Sequence, residues 1–539
     1  MLLLAGIAPA ARSPGVGEAG VAEGIRERVE RVRLDPRLPI GGDRLLFPHV
    51  VAAFFEGRAF TPVWTTKHDV EEALGAVRRI EADGLTPAHY HLAAIERAHE
   101  AGKGGATHGA TADLEILVAD AVAAIIDHVQ FGKVRPDLLD PDWNVDPRVT
   151  APPLGTLLDL VADGPAIADG VARFTPSHFV YEGLKQALAR HREIAGHGGW
   201  PIVPKGAPLK RGDSGPRVAV LRARLAATGD LAASADLDSP LFDEPLEAAV
   251  KRFQELHRLT PDGAVGRATL DALAVSAATR FDEVRVNLER SRWVLPGLRD
   301  TFLLVNLPAF KVYFIRDRRN VWEARAQVGK TARKTPSFRD DVEYIVFNPD
   351  WTVPPTIMAQ DVLDPMRRGD DAIKRKKLEI LDDRGRRIAP SAIDWASARP
   401  GSFPYTLRQP PGADNALGRV KFIFPNEHSV FLHDTPSREL FAADQRTFSS
   451  GCIRVENALD LARQLLEGDP EWTRERIAEV VAAGETETVF LPEPIPVLIV
   501  YWTVTVGASG EVRFAQDVYG ENPRVLQALD AAPIPASAR

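Results

Sequence analysis

The chain has one cysteine in 539 residues, Cys452. That excludes an intrachain disulfide and argues against a thiolate zinc site, since each needs at least a pair, and it leaves the redox compartment undecided. There is no excess of positive charge either: the formal net charge is -8, which gives no support to a nucleic-acid-binding role. No run of about 18 apolar residues occurs, so no transmembrane helix is expected. The N-terminus lacks the basic flank of a complete secretory signal. The opening MLLLAGIAPAARSP, within residues 1–20, therefore has two readings: a signal peptide truncated at its start, or a disordered tail.

What is there is ordinary for globular protein, with 45% hydrophobic and 26% charged residues. A chain this long exceeds one hydrophobic core, and about three to four domains are expected. Residues 21–200 carry mainly helical periodicity. Val50, Phe54 and Phe55 mark one amphipathic segment, and Leu114, Leu117, Val118, Ala121, Ile125 and Val129 mark another. His89, His91 and His128 have no acidic partners at ligand-like spacing, so they read as structural or surface histidines in a helical scaffold. After the Gly/Pro-rich GHGGWPIVPKGAP, residues 205–278 form a small unit in which Val218, Leu221 and Leu225, then Leu246, Val250 and Phe253, recur at helical steps. From residue 287 to 539 the pattern turns to strands, as in FLLVNLPAFKVYFIR, VEYIVFNP and KFIFP. A charged insertion at 354–408 interrupts them and is expected to cap a site. IPVLIVYWTVTV with GEVRFAQDVYG is expected to complete this domain as a last hairpin.

The stretch 431–457, FLHDTPSRELFAADQRTFSSGCIRVEN, concentrates the chemistry. A lone thiol is often a small packing residue. Here Ser449, Ser450 and Gly451 pack a core poorly, glycine allows a tight turn that aims peptide N–H groups, and His433 can take a thiol proton. Cys452 thus reads as a nucleophile. Asp434 adjoins His433, but neighbours on a strand face opposite ways, so a backbone carbonyl is the better partner for the imidazole. Asn457 is placed to cap the helix begun by ENALDLARQLL.

Two resemblances follow from these residues. LKRGDSGPRVAVLRARLAATGDL with LEAAVKRFQELHRLTPDGAVGRATLDAL is similar to the three-helix peptidoglycan-binding domain of bacterial wall enzymes. Gly329 with Thr335 and Pro336, the NPDW at 348–351 with Val353-Pro354-Pro355, His433, and SSGCIR at 449–454 resemble the L,D-transpeptidase catalytic domain of the YkuD type. With scaffold, wall-binding unit and cap, the chain is similar to the large YcbB-like members. The fold class is then multidomain α+β, with a helical scaffold, a three-helix peptidoglycan-binding domain and a β-rich catalytic domain carrying an inserted cap.

The resemblance implies a reaction and its residues. A thiolate attacks the diaminopimelate carbonyl of a peptidoglycan tetrapeptide stem, D-alanine leaves, and an amine of a second stem resolves the thioester. Cys452 would be nucleophile, His433 general base and acid, and the N–H groups of Gly451 and Cys452 oxyanion donors. Ser450 stands where much of the family has a second histidine. Arg454, Ser450, Trp351 and Phe431 are expected to contact substrate, with Tyr405 a further aromatic near the pocket. No metal or organic cofactor is implied. Donor and acceptor stems are the expected partners, with other wall-synthesis enzymes beside them; the expected location is the periplasm, and carbapenems are expected to acylate Cys452. A cysteine L,D-carboxypeptidase of the same stems and a non-catalytic wall-binding scaffold remain as alternatives.

Overall fold

A computed structural model describes residues 16–65, 70–103, 105, 107–145, 147–232, 236–507 and 509–536. Most of the expected leader, 1–15, lies outside the described residues; the chain is helical from Val16 to Leu34.

The scaffold is built around the helix His108–Phe131, which starts at Thr107, whose hydroxyl accepts Ala110 N–H at 3.3 Å. Every residue from 114 to 129 is buried, so the helix is covered on all sides where its periodicity suggested one apolar face. A helix this deep must satisfy its polar side chains internally. Glu115 accepts the N–H groups of Val63, Trp64 and Thr65 at 2.7–3.0 Å. Asp120 accepts those of Leu46 and Phe47, each at 2.7 Å, and also holds His91. Arg148 pairs with Asp127 at 3.0 Å, and Tyr90 bonds His128 at 2.9 Å.

The small unit has the three helices Pro216–Thr228, Glu244–Leu256 and Arg267–Leu273 around a core that includes Leu221, Leu225, Phe242, Leu246 and Phe253. The helix Ala277–Arg292 then leads onward, its first turn capped by Ser276, which accepts Thr279 N–H at 3.0 Å. It packs along Phe179–Gly196 of the scaffold, and its buried Arg292 bonds Glu289 at 2.8 Å and Tyr181 Oη at 2.9 Å. The boundary expected at 287 therefore falls inside one helix that belongs to the scaffold's core.

The strands of the third region are β1 Phe302–Asn306, β2 Lys311–Arg316, β3 Arg319–Gly329, β4 Phe338–Phe347, β5 Trp351–Thr352, β6 Glu379–Leu381, β7 Thr406–Gln409, β8 Val420–Ile423, β9 Leu432–His433, β10 Thr447–Ser449, β11 Ile453–Val455 and β12 Glu487–Val500. Eight close on themselves in the order β3-β11-β9-β8-β4-β12-β1-β2 and back to β3, with β10 parallel to the end of β3. Closure leaves the ring no free edge. Its interior holds Val305, Val312, Ala326, Ile345, Phe422, Leu432, Ile453 and Val497, at alternate positions of their strands. Burying such aliphatic and aromatic side chains is worth roughly 1.5–3 kcal/mol each.

Between β4 and β8, strands β5, β7 and β6 form a separate three-stranded sheet with its own core of Val353, Val362, Ile373, Ile380 and Leu407. The cap is thus a small subdomain bounded by Trp351 and Gln409, slightly wider than 354–408.

The last hairpin departs from expectation. Strands β13 Val504–Val506 and β14 Val512–Phe514 pair with each other and pack on the scaffold helix Phe179–Gly196 and the connecting helix, not on the catalytic ring. Val504, Val506 and Phe514 join the scaffold's core, and a Cβ at Gly183 would stand 2.5 Å from Val506. Alternation specified an apolar face without specifying which body would cover it. The C-terminal segment therefore stitches the catalytic ring to the scaffold.

Candidate active site

Ring register assembles the site. In the parallel pair β9–β11, Leu432 faces Ile453 and His433 faces Arg454. Leu432 and Ile453 point into the ring, so Phe431, His433, Cys452 and Arg454 share the outer face. Antiparallel pairing adds Lys421 of β8 opposite His433, and Gln327 of β3 opposite Arg454.

His433 is 4% exposed, and its Nδ1 lies 2.5 Å from the carbonyl oxygen of Asp434. A carbonyl only accepts, so Nδ1 carries the proton and Nε2 keeps a free lone pair. The Asp434 carboxylate turns away and accepts Arg419 N–H at 2.9 Å. Burial, reinforced by the positive charges of Arg454 and Lys421, pushes His433 down to about 3, so the imidazole is neutral at physiological pH. Burial also raises the Cys452 thiol, opposed by the Phe431 N–H and by the charges of Lys421 and Arg454. The resting pair is thus thiol and imidazole, not thiolate and imidazolium. Cys452 Sγ, which keeps some surface exposure, points at Ser429 O, 3.6 Å away, with no hydrogen bond to His433. Such contacts commonly tighten only when substrate is bound.

The loop before Cys452 is strained and braced. Gly451 has φ +124°, a conformation that disfavours any side chain. Its carbonyl accepts the Thr335 hydroxyl at 2.7 Å; Thr335 Oγ1 in turn accepts Gly329 N–H at 2.9 Å. Tyr519 donates to Gly329 O at 2.7 Å, and its own N–H is held by Tyr501 Oη at 2.7 Å. Gly329 is required because a Cβ there would stand 2.2 Å from Arg333 O.

Several expected roles change. Gly451 N–H donates to Ser449 Oγ at 3.1 Å, so it does not face an open oxyanion position; Cys452 N–H has no acceptor among the described residues and is the remaining backbone donor. Ser450 Oγ accepts Arg333 Nη1 at 2.7 Å, and the same guanidinium pairs with Asp361 of the cap at 3.0 Å. Trp351 lies in the cap sheet opposite Gln409, packed with Tyr405 against the cap's own core. Asn457 occupies the first position before its helix at φ 54° but makes no side-chain cap. Arg454 bonds Gln327 Oε1 at 3.1 Å, leaving its Nε without a partner, and Phe431 lies beneath Lys421, whose Nζ is 3.9 Å from the ring centroid.

Lys421, Arg333 and Tyr519 escaped the sequence reading. The alternation Val420-Lys421-Phe422 was the available signal for Lys421, since it turns the lysine outward, but only register places it opposite His433. Lys421 and Arg454 have no carboxylate within 4 Å among the described residues, and Lys376 of the cap lies within electrostatic range of Arg454. An acidic chain thus presents a cationic site, suited to an anionic substrate.

Residues 300–475 match the L,D-transpeptidase catalytic domain. The chain carries an L,D-transpeptidase catalytic domain. Residues 49–188 match a scaffold domain, and 214–273 a "Putative peptidoglycan binding domain". A Haemophilus influenzae protein named "Putative L,D-transpeptidase" is 34% identical over 243 residues, 45% of this chain and 48% of that protein. The chain thus matches about half the length of its curated relative. Solved L,D-transpeptidase structures from Stackebrandtia nassauensis and Xylanimonas cellulosilytica align over 56% and 55% of this chain and 96% and 99% of theirs, at 11% and 16% identity and TM-scores of 0.21 and 0.17. Within the L,D-transpeptidase domain lie Cys452, His433, Lys421, Arg333 and the cap; Tyr519, which braces Gly329 beside the Cys452 loop, lies beyond the matched range.

Proposed function

We propose that this protein crosslinks peptidoglycan stems between diaminopimelate residues through a Cys452 acyl-enzyme. The observation that carries the reading is the register of β9 and β11, which sets the only thiol beside an imidazole whose Nδ1–H is pinned and whose Nε2 is free. In the acylation half, Cys452 gives its proton to His433 Nε2 as Sγ attacks the diaminopimelate carbonyl. A C–S bond forms, the C–N bond to D-alanine breaks, and the imidazolium returns its proton to the departing amine. In the second half the amine of another stem gives its proton to Nε2 while attacking the thioester. The new amide forms and Sγ leaves, reprotonated by His433.

Cys452 N–H serves the developing oxyanion, a kind of donor worth roughly 3 kcal/mol in transition-state energy. Arg454 and Lys421 attract stem carboxylates, and the cap limits water, favouring an amine acceptor over hydrolysis. In this reading the small three-helix unit holds wall polymer, and a periplasmic location is proposed with it. Carbapenems, as acylating analogues, are expected to modify Cys452.

Incubation with disaccharide-tetrapeptide, followed by mass spectrometry, tests this. Crosslinked dimer with free D-alanine is expected, and none from Cys452→Ala of unchanged melting temperature. Tripeptide without dimer would make the chain a carboxypeptidase, and unaltered substrate would make it a scaffold.

A further inference from the structure

A second cationic site lies at the junction of the three-helix unit with the scaffold. A cavity of about 470 Å³ is walled there by the helices Phe179–Gly196, Pro216–Thr228, Glu244–Leu256 and Ala277–Arg292 and by the hairpin β13–β14. Arg190, Arg224, Arg252 and Arg280 line it. Arg190, Arg224 and Arg252 have no carboxylate within 4 Å among the described residues. Arg190 and Arg252 sit at the exposed rim, whereas Arg224 is only 1% exposed.

Arg224 is the telling residue. Its guanidinium bonds only neutral groups, Leu273 O at 3.2 Å and Thr228 Oγ1 at 3.4 Å, and stacks over Trp200 at 4.0 Å. Arg280, 6% exposed, stacks over Phe514 at 4.3 Å; it pairs with Glu283 through Nη1, but its Nε is buried without a partner. Of the two acids lining the cavity, Glu511 is paired with Arg513, and Asp230 accepts the Thr228 hydroxyl. Burial, with the charge of Arg280, pushes Arg224 down to about 9 against the opposing charge of Asp230, and His257 falls well below the usual histidine range through burial and the same arginines. A buried cation with only one carboxylate near it, and none in contact, is costly unless something supplies further negative charge.

We infer that this cavity is a binding site for an oxyanion, a carboxylate or phosphate borne by a small ligand or polymer. Arg224 and Arg280 form its floor and Arg190 and Arg252 its rim. The aromatic rings are already covered by guanidinium or ring neighbours, so recognition is by charge and hydrogen bonding rather than by stacking. Its walls come from the scaffold and the wall-binding unit together, so an occupant would also fix the unit against the scaffold. Its lining shares no residue with the Cys452 face, and the inference does not depend on the chain's catalytic reading.

Titration calorimetry and thermal shift on the full chain, in chloride buffer, test it with two separate probes, inorganic phosphate and succinate. Saturable binding of at least one probe at one site per chain is expected, weakened tenfold or more in the rim variant Arg190→Gln/Arg252→Gln. Phosphate alone binding assigns a phosphate-bearing ligand, succinate alone a carboxylate-bearing one, and both a general oxyanion site. No saturable binding of either probe, or affinity unchanged in the rim variant, would overturn the inference. The rim positions are exposed, so their replacement leaves the fold available for comparison.

Discussion

Two histidines, each about 5% exposed, behave in opposite ways. His91 of the scaffold lies between two carboxylates, with Nδ1 3.0 Å from Asp43 and Nε2 2.7 Å from Asp120. Burial pulls it down, but these carboxylates outweigh burial and raise it to about 9. His433 has a carbonyl on one nitrogen and cations nearby, and it falls to about 3. One ring is a charged structural tie with both nitrogens occupied; the other is a neutral base with one nitrogen free. Burial is common to both, so the sign of the neighbouring charge decides which histidine can do chemistry.

The largest effect that would break this contrast is on catalysis. His433→Gln should lower acylation by roughly 10³-fold, within the range for loss of a general base, with little change in melting temperature. Retained acylation, followed by intact mass, would remove His433 from the mechanism. Next comes stability. His91→Ala leaves Asp43 and Asp120 facing each other without their cation, and should destabilise the scaffold by about 3–5 kcal/mol while acylation per folded molecule is kept. Calorimetry separates those outcomes.

The pH dependence of unfolding should show both residues with opposite signs. The raised pKa of His91 gives stability that is complete below its unfolded value near 6.5 and is lost as pH rises through about 9. The lowered pKa of His433 favours folding above about 6.5, and that contribution is lost as pH falls toward 3. Melting temperatures should therefore fall on both sides of neutrality, with His91→Gln flattening the alkaline limb and His433→Gln the acid limb. The smallest effect concerns the thiol. Burial raises Cys452, so iodoacetamide alkylation should climb with pH beyond the ordinary cysteine range, without a thiolate plateau at neutrality. Lys421→Met removes an opposing charge and should slow alkylation at pH 8. An unchanged rate would show that Lys421 does not act on the thiol.

Much of the fold was legible because local patterns carry it. Alternation identified the ring strands, and the buried pair Leu461 and Leu465 follows the helical spacing read after Cys452. Cys452 and His433 stood out by residue type and local context. Partners distant in sequence did not. Asp43 and Asp120 lie 48 and 29 residues from His91, so the ion pairs that define it are invisible to any spacing rule. The motif position of Trp351 carries no record of which core its ring joins. At Gly451 the flexibility was visible, while the Ser449 hydroxyl that accepts its N–H was not.

The sequence by itself singled out Cys452 and His433 and determined the helical and strand-rich regions and the outward turn of Lys421, since all follow from side-chain chemistry and from periods of 3.6 and 2. Tertiary structure alone decided that the strands close into a ring, that the last hairpin joins the scaffold, that Arg333 ties the cap to Ser450, and that unpaired cations gather beside Cys452 and again at Arg224. Periodicity states which face of an element is apolar, whereas the partner of that face, and the charge a side chain finally meets, depend on contacts between residues far apart in the chain.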